Sequence, residues 1–146
     1  MGAQYIFLAD DDIDDQLMFE EAIQQNGNDV RLRTVYSGEQ LMRELTKEEA
    51  ELPDLIFLDL NMPIKNGYEC LDEIRVNEKL KHIPIAIFST SSTADDIERT
   101  RQGGANAYIR KPANFNTLKE VIALVLGMNW DYPFTRPTTD LYLVNV

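Results

Sequence analysis

The run Leu55-Ile56-Phe57-Leu58 is wholly apolar and ends in a carboxylate, Asp59, before a turn at Met62-Pro63. An acid at the end of a core strand is costly unless a cation, a hydrogen-bond donor or a reaction uses it. Alone, Asp59 would be an ordinary loop-capping aspartate. Three other apolar runs change that reading: Gln4–Ala9 leads into Asp10-Asp11, Ile85-Ala86-Ile87-Phe88 into Ser89, and Ala107–Arg110 into Lys111. Three carboxylates, a hydroxyl and an ammonium form a coherent site for a divalent cation and a phosphoryl group. The crowded carboxylates repel one another, and a hard dication relieves that repulsion. Mg2+ takes oxygen ligands, often one or two carboxylates plus phosphate oxygens. Asp11 and Asp59 would be direct ligands and Asp10 direct or through water, with a backbone carbonyl in the loop after Asp59 completing the set. An aspartate also serves as a nucleophile towards phosphorus. Lys111 would add a point charge, and Ser89 a hydrogen bond to a phosphoryl oxygen.

The elements that must position these groups are legible. Gln4–Ala9 reads as a buried strand, and Val30–Val35 alternates as a strand nearer an edge. Strands over 55–58, 85–88 and 107–110 follow. Ile13, Leu17, Met18, Ala22 and Ile23 recur at helical spacing, with Asn26-Gly27-Asn28 as the stop. Ser37 is the expected N-cap of a helix carrying Leu41, Met42 and Leu45, and Glu48-Glu49-Ala50-Glu51 reads as its solvated end. Gly67 opens a helix with Tyr68, Leu71 and Ile74 on one face. Ala94 and Ile97 mark a short polar helix stopped at Gly103-Gly104. Phe115, Leu118, Val121, Ile122, Val125 and Leu126 give the last helix an apolar stripe ending near Gly127. Five strands alternating with five helices predict an α/β fold, a doubly wound parallel sheet with helices on both faces. In such a sheet the site lies beyond the carboxyl ends of the strands. The strand at Val30–Val35 ends in Tyr36-Ser37 and offers less there.

At these positions the chain resembles the receiver domain of two-component response regulators, the family of the bacterial chemotaxis regulator. The matching residues are Asp10-Asp11, Asp59 with Met62-Pro63 and Gly67, Ser89, and Tyr108 with Lys111-Pro112, over roughly residues 4–127. The resemblance implies a five-stranded flavodoxin-like sheet of order 2-1-3-4-5. It implies that Asp59 accepts a phosphoryl group from a histidine kinase, that Asp10 and Asp11 serve Mg2+, and that Lys111 and Ser89 read the phosphoryl group. Asn61 falls where the family lends a backbone carbonyl to the metal. Ser89 and Tyr108 stand at switch positions, Ser89 moving towards the phosphoryl group and Tyr108 turning inward. Ser89-Thr90-Ser91-Ser92 departs from the common pattern, with serine for threonine and then Thr90 for a small residue. That run is similar to stand-alone receivers, including those paired with phytochrome-type kinases.

Composition narrows the classes. The chain has 146 residues, 44% hydrophobic and 27% charged, as in an ordinary globular domain. A net charge of −11 argues against direct nucleic-acid binding. No apolar stretch is long enough for a membrane span, the N-terminus lacks signal-peptide features, and Cys70 is the only cysteine, so a cytoplasmic location is expected. Cys70 reads as a small apolar helix residue, and His82 as a surface residue. Residues 1–128 form the expected receiver domain. Residues 129–146 form a C-terminal extension too short for a DNA-binding output domain. The extension carries Trp130, Tyr132, Phe134 and a strand-like Leu141-Tyr142-Leu143-Val144. It packs either on its own domain or across a homodimer built on the face of helix four, strand five and helix five. Output would pass through that face to a downstream protein partner.

Three rival readings fit the residues less well. Asp10, Asp12, Asp14 and Glu21 fit positions 1, 3, 5 and 12 of a calcium loop, but Asp15 stands where that loop needs glycine. A haloacid-dehalogenase-like phosphatase would use Asp10-Asp11-Asp12, Ser89 and Lys111. That family needs a carboxylate pair after the lysine, where this chain has only Asp131 and Asp140, isolated in the tail, and it leaves the Asp59 segment without a role. A receiver-like module that is never phosphorylated is disfavoured because every site group is present.

Overall fold

The computed structural model describes residues 4–26, 29–134, 137 and 139–144. Five parallel strands form one sheet: β1 (Gln4–Ala9), β2 (Val30–Val35), β3 (Leu55–Leu58), β4 (Ile85–Ser89) and β5 (Ala107–Arg110). Their order is β2-β1-β3-β4-β5, as the resemblance implied. The helices between them are α1 (Ile13–Gln25), α2 (Gly38–Thr46), α3 (Gly67–Val76), α4 (Ala94–Gln102) and α5 (Phe115–Leu126), and a short α6 (Thr139–Tyr142) follows.

Alternation along β3 explains the two-sided core. Leu55 and Phe57 enter one apolar cluster with Phe19, Ala22, Val121 and Val125 of α1 and α5. Ile56 and Leu58 enter the other, with Leu41, Leu71 and Ile74 of α2 and α3. A strand buried on both faces reads as an unbroken apolar run, which is why β3 and β4 lack polar alternation. Phe19, Phe57 and Phe88 pack edge-to-face, with ring centroids 4.9, 5.5 and 6.3 Å apart.

Each helix following a strand starts on a capped turn. Asp12, Ser37, Asn66, Thr93 and Asn114 each accept a hydrogen bond from a first-turn backbone N–H. Asn66 and Glu69 complete a reciprocal capping box. The caps fix where each strand's chain turns, and so where each strand-end side chain stands.

The structure corrects several expectations. The buried face of α1 is Phe19, Ala22 and Ile23, whereas Ile13 and Leu17 are 69% and 57% exposed. They share helical spacing with the buried residues but lie on the solvent side of the helix. Glu48 and Glu49 lie in a turn beyond α2, which ends at Thr46, because Lys47 takes extended backbone angles. The strand-like segment at 141–144 is instead the end of α6 followed by one parallel bridge from Leu143 to Tyr108 of β5. The expected stop of α1 at Gly27-Asn28 lies outside the described residues. Cys70 is buried and its thiol is pushed up to about 12 by burial, consistent with an inert apolar role. His82 is exposed.

Gly67 begins α3 against the back of the Asp59 segment. A Cβ there would sit 2.3 Å from the Asp59 carbonyl oxygen and 2.8 Å from Leu60 Cα. Backbone cannot yield as a flexible side chain does, so Gly67→Ala is expected to destabilise the fold by about 1–3 kcal/mol. Urea unfolding checks this; an unchanged midpoint would show that the close approach is not rigid.

Candidate functional site

Asp10, Asp59 and Lys111 lie just past the strands but remain tied to the sheet, while Ser89 is the last residue of β4 and Tyr108 lies within β5. Asp10 N–H donates to Val35 O at 3.0 Å, Asp59 N–H to Ala9 O at 2.9 Å and Lys111 N–H to Ser89 O at 2.8 Å. Each side chain therefore leaves a backbone that the ladder still holds. Asp10, Asp59 and Ser89 are buried, while Asp11 and Asn61 are exposed.

Lys111 reaches into the acids. Its Nζ lies 2.8 Å from Asp10 Oδ2, 2.8 Å from Asp15 Oδ2 and 3.2 Å from Asp59 Oδ2. The contacts to Asp15 and Asp59 are hydrogen bonds. The contact to Asp10 is an ion pair, and Asp10 Oδ2 has no other polar partner among the described residues. Asp10 Oδ1 accepts from Asp12 N–H at 2.9 Å, and Asp59 Oδ1 from Asn61 N–H at 3.3 Å. Carboxylate oxygens of Asp10, Asp11 and Asp59 lie within 4.8 Å of one another. Three carboxylates gathered at one end of the sheet, with a single ammonium among them, fit a hard dication with oxygen ligands.

Electrostatics follow from burial. Burial raises the Asp10 carboxyl to about 6, against the opposing pull of Lys111 and the Asp12 N–H and with help from the Asp59 charge. Burial alone would lower the Lys111 ammonium, but Asp10, Asp15 and Asp59 outweigh it and hold the group above its ordinary value. The first residues of α1 are thus not a calcium loop. Asp12 caps the helix and Glu21 lies within it, so residues 10–21 cannot wrap one ion.

The β4–β5 side carries a second network. Ser89 Oγ accepts from Ser91 N–H at 3.2 Å. Tyr108 is buried and its hydroxyl donates to Ser91 O at 2.8 Å, so the ring is turned inward. Ser91 and Tyr68 both donate to Asp96 of α4, and these bonds hold its carboxyl below the usual range. The tail closes this network from outside. Tyr142 is 0% exposed, its ring centroid is 6.1 Å from that of Tyr108, and its hydroxyl donates to Thr100 Oγ1 of α4 at 2.7 Å. Val144 N–H donates to Tyr108 O at 2.9 Å.

Sequence reasoning missed Asp15, Asp96, Thr100 and Tyr142. The aromatic character of the tail was visible, but which ring would meet Tyr108 was not. One strained residue also borders the site: Ile64, in the loop after Asp59, has φ 70°. A β-branched residue in that region costs about 1–2 kcal/mol.

The family model of the response regulator receiver domain matches residues 6–123. The chain belongs to this family. Receiver domains are signalling proteins, and membership separates the chain from the phosphatase reading. The response regulator Rcp1 of Synechocystis sp. is 33% identical, covering 90% of this chain and 92% of its own. The phosphorylated cyanobacterial phytochrome response regulator RcpA superposes with a TM-score of 0.81 at 35% identity, over 94% of this chain and 100% of its own. The Mn(2+)-bound form of Rcp1 gives 0.78 at 30% identity, over 92% and 99%. A receiver domain of a Pseudomonas aeruginosa sensor histidine kinase, with magnesium coordinated in its active-site cleft, gives 0.71 at 28% identity, over 87% and 100%. Among the described residues of this receiver domain no helix is long and apolar enough to cross a membrane.

The raised Asp10 carboxyl gives a signed pH dependence. Its folded value lies above its unfolded value, so its contribution is full below about pH 4 and is lost as pH rises through about 6. Without metal, the wild type should lose on the order of 2 kcal/mol relative to Asp10→Asn across that window. Paired urea titrations at pH 4 and pH 8 measure the difference, and parallel curves for the two proteins would exclude the shift.

Proposed function

We propose that this receiver domain is the phosphoacceptor of a two-component relay, taking a phosphoryl group on Asp59 from a histidine kinase. The observation that carries the reading is Lys111 Nζ within 3.2 Å of Asp59 Oδ2 at the carboxyl ends of the central strands. In the transfer, the bond from phosphorus to the kinase histidine nitrogen breaks and its electron pair stays on nitrogen, which takes a proton from solvent. One bond from Asp59 oxygen to phosphorus forms. Asp10, Asp11 and Asp59, with the Asn61 backbone carbonyl, would hold Mg2+, which when bound neutralises phosphoryl oxygens. Lys111 places a fixed positive charge where a phosphoryl oxygen would lie, and Ser89 supplies a hydroxyl.

The likeness to RcpA and Rcp1 supports a phytochrome-type kinase as donor. Ile13 and Leu17, one turn apart beside the acids, offer an apolar strip for it. Residues 1–128 are the signalling unit and 129–146 an extension, of which Trp130, Tyr142, Leu143 and Val144 pack on it. Output passes to a protein partner through the face of α4, β5 and α5, with Ser89 and Tyr108 as switch residues. Tyr142 absorbs part of the apolar character that suggested a dimer, which leaves exposed Leu124 and Leu141 as the contacts of a homodimer on that face.

Asp59→Asn is expected to abolish labelling by acetyl phosphate with Mg2+, read by intact mass and peptide mapping; labelling at the wild-type rate would place the acceptor elsewhere. Mg2+ at about 100 times its dissociation constant should add about 2.7 kcal/mol of stability to the wild type. A flat melting temperature across the titration would remove the metal. Leu17→Asp should slow transfer from a phosphorylated histidine kinase at least tenfold, about 1.4 kcal/mol, and leave acetyl phosphate labelling unchanged. Equal loss with both donors would reject the docking strip. Sedimentation with and without beryllofluoride tests the dimer, and monomers throughout would exclude it.

A further inference from the structure

Asp15 belongs to none of the roles above, yet it makes one of the two shortest contacts to the Lys111 ammonium. Its Oδ2 lies 2.8 Å from Nζ, against 3.2 Å for Asp59. Asp15 sits in the first turn of α1, where its N–H is held by Asp12 Oδ1 at 3.0 Å. The carboxylate therefore projects from a fixed backbone.

The lysine needs such a tether. A cavity of about 220 Å3 lies beside it, lined by Asp15, Met18, Phe88, Lys111, Ala113 and Leu118 among others. The stem borders that cavity, and the ammonium is positioned by its carboxylates and by the Phe88 ring, whose centroid lies 5.5 Å away. An ammonium has three donors. Here they face three carboxylates, two buried and one, Asp15, partly exposed at the mouth. Asp10 and Asp59 are the carboxylates placed to ligate a cation, so their hold on Lys111 changes when one is bound. Asp15 is not part of the cluster of Asp10, Asp11 and Asp59. Its contact with Lys111 therefore uses a carboxylate outside that cluster.

We propose that Asp15 is a positioning residue for phosphoryl recognition. It keeps the Lys111 ammonium over Asp59, out of the adjoining cavity, when Asp10 and Asp59 turn to other ligands. A staple that merely joins α1 to the segment after β5 is the competing role, and that role would affect stability without affecting phosphoryl recognition through Lys111.

The inference rests on Asp59 as acceptor and Lys111 as its cation, so the experiment separates the two. Beryllofluoride affinity at saturating Mg2+ is measured by 19F NMR for wild type, Asp15→Asn, Asp15→Glu, Lys111→Ala and the Asp15→Asn/Lys111→Ala double variant, with thermal melts for each. Asp15→Asn is expected to bind about tenfold more weakly, the scale of one charge-assisted hydrogen bond. Asp15→Glu should recover part of the loss. In the Lys111→Ala background, Asp15→Asn should have no further effect, the signature of action through the lysine. Wild type that does not bind beryllofluoride would overturn the acceptor reading itself. Wild type that binds, with Asp15→Asn equal to it, or with the same loss in the Lys111→Ala background, would overturn the role of Asp15 alone. Should Asp15→Asn fail to fold, Asp15→Glu carries the test: its longer side chain must shift affinity in the wild type and not in the Lys111→Ala protein.

Discussion

The site depends on one buried ammonium among acids. Lys111 meets Asp10, Asp15 and Asp59 where little water is present to screen them. Removing the ammonium would cost several kcal/mol, because the carboxylates would stay buried and uncompensated. Yet one lysine does not balance the carboxylates. Asp10 records the deficit, since burial and the Asp59 charge raise its carboxyl despite the lysine beside it. The fold thus sustains a standing excess of negative charge at one end of the sheet, which a dication relieves.

That excess is tolerated because the sheet is over-determined around it. β3 is buried on both faces, and its neighbours β1 and β4 are likewise apolar. Strand-type hydrogen bonds continue past the named strands to Asp10, Asp59 and Lys111. Gly67 lets α3 start against the Asp59 carbonyl, and the capping box at Asn66 fixes that start. The charged groups thus leave backbone that the sheet's hydrogen bonds hold. In the loop beyond, Ile64 takes a left-handed conformation.

The tail gives the β5 side a different character. Tyr142 fills space against Tyr108 and bonds to α4, and Leu143 extends the sheet by one bridge. Trp130 donates to Val125 O and Arg101 to Pro137 O, so the extension is tied at several points to α5 and α4. Any movement of Tyr108 must displace or carry Tyr142. The apolar tail is therefore a structural partner of the residue that would transmit the signal, on the same chain.

The sequence alone determined most of the fold, because its signals are local. Apolar runs bounded by caps and glycines located all five strands, and the strand-end acids, serine and lysine were legible as chemistry before any geometry. Ser37 as N-cap and the short polar α4 were legible for the same reason. What it left undecided depended on contacts between distant elements. Ile13 and Leu17 sit at helical spacing with the buried residues of α1, and only the placement of α5 shows that they face water. Asp15 is one of several acids in residues 10–15, and only the crossing of α1 past the end of β5 selects it for Lys111. The segment at 141–144 has strand-like residues, but with only Tyr108 to pair against it forms a single bridge after a helical turn. Periodicity specifies which residues share a face, and the tertiary packing of neighbouring elements decides which part of that face is covered.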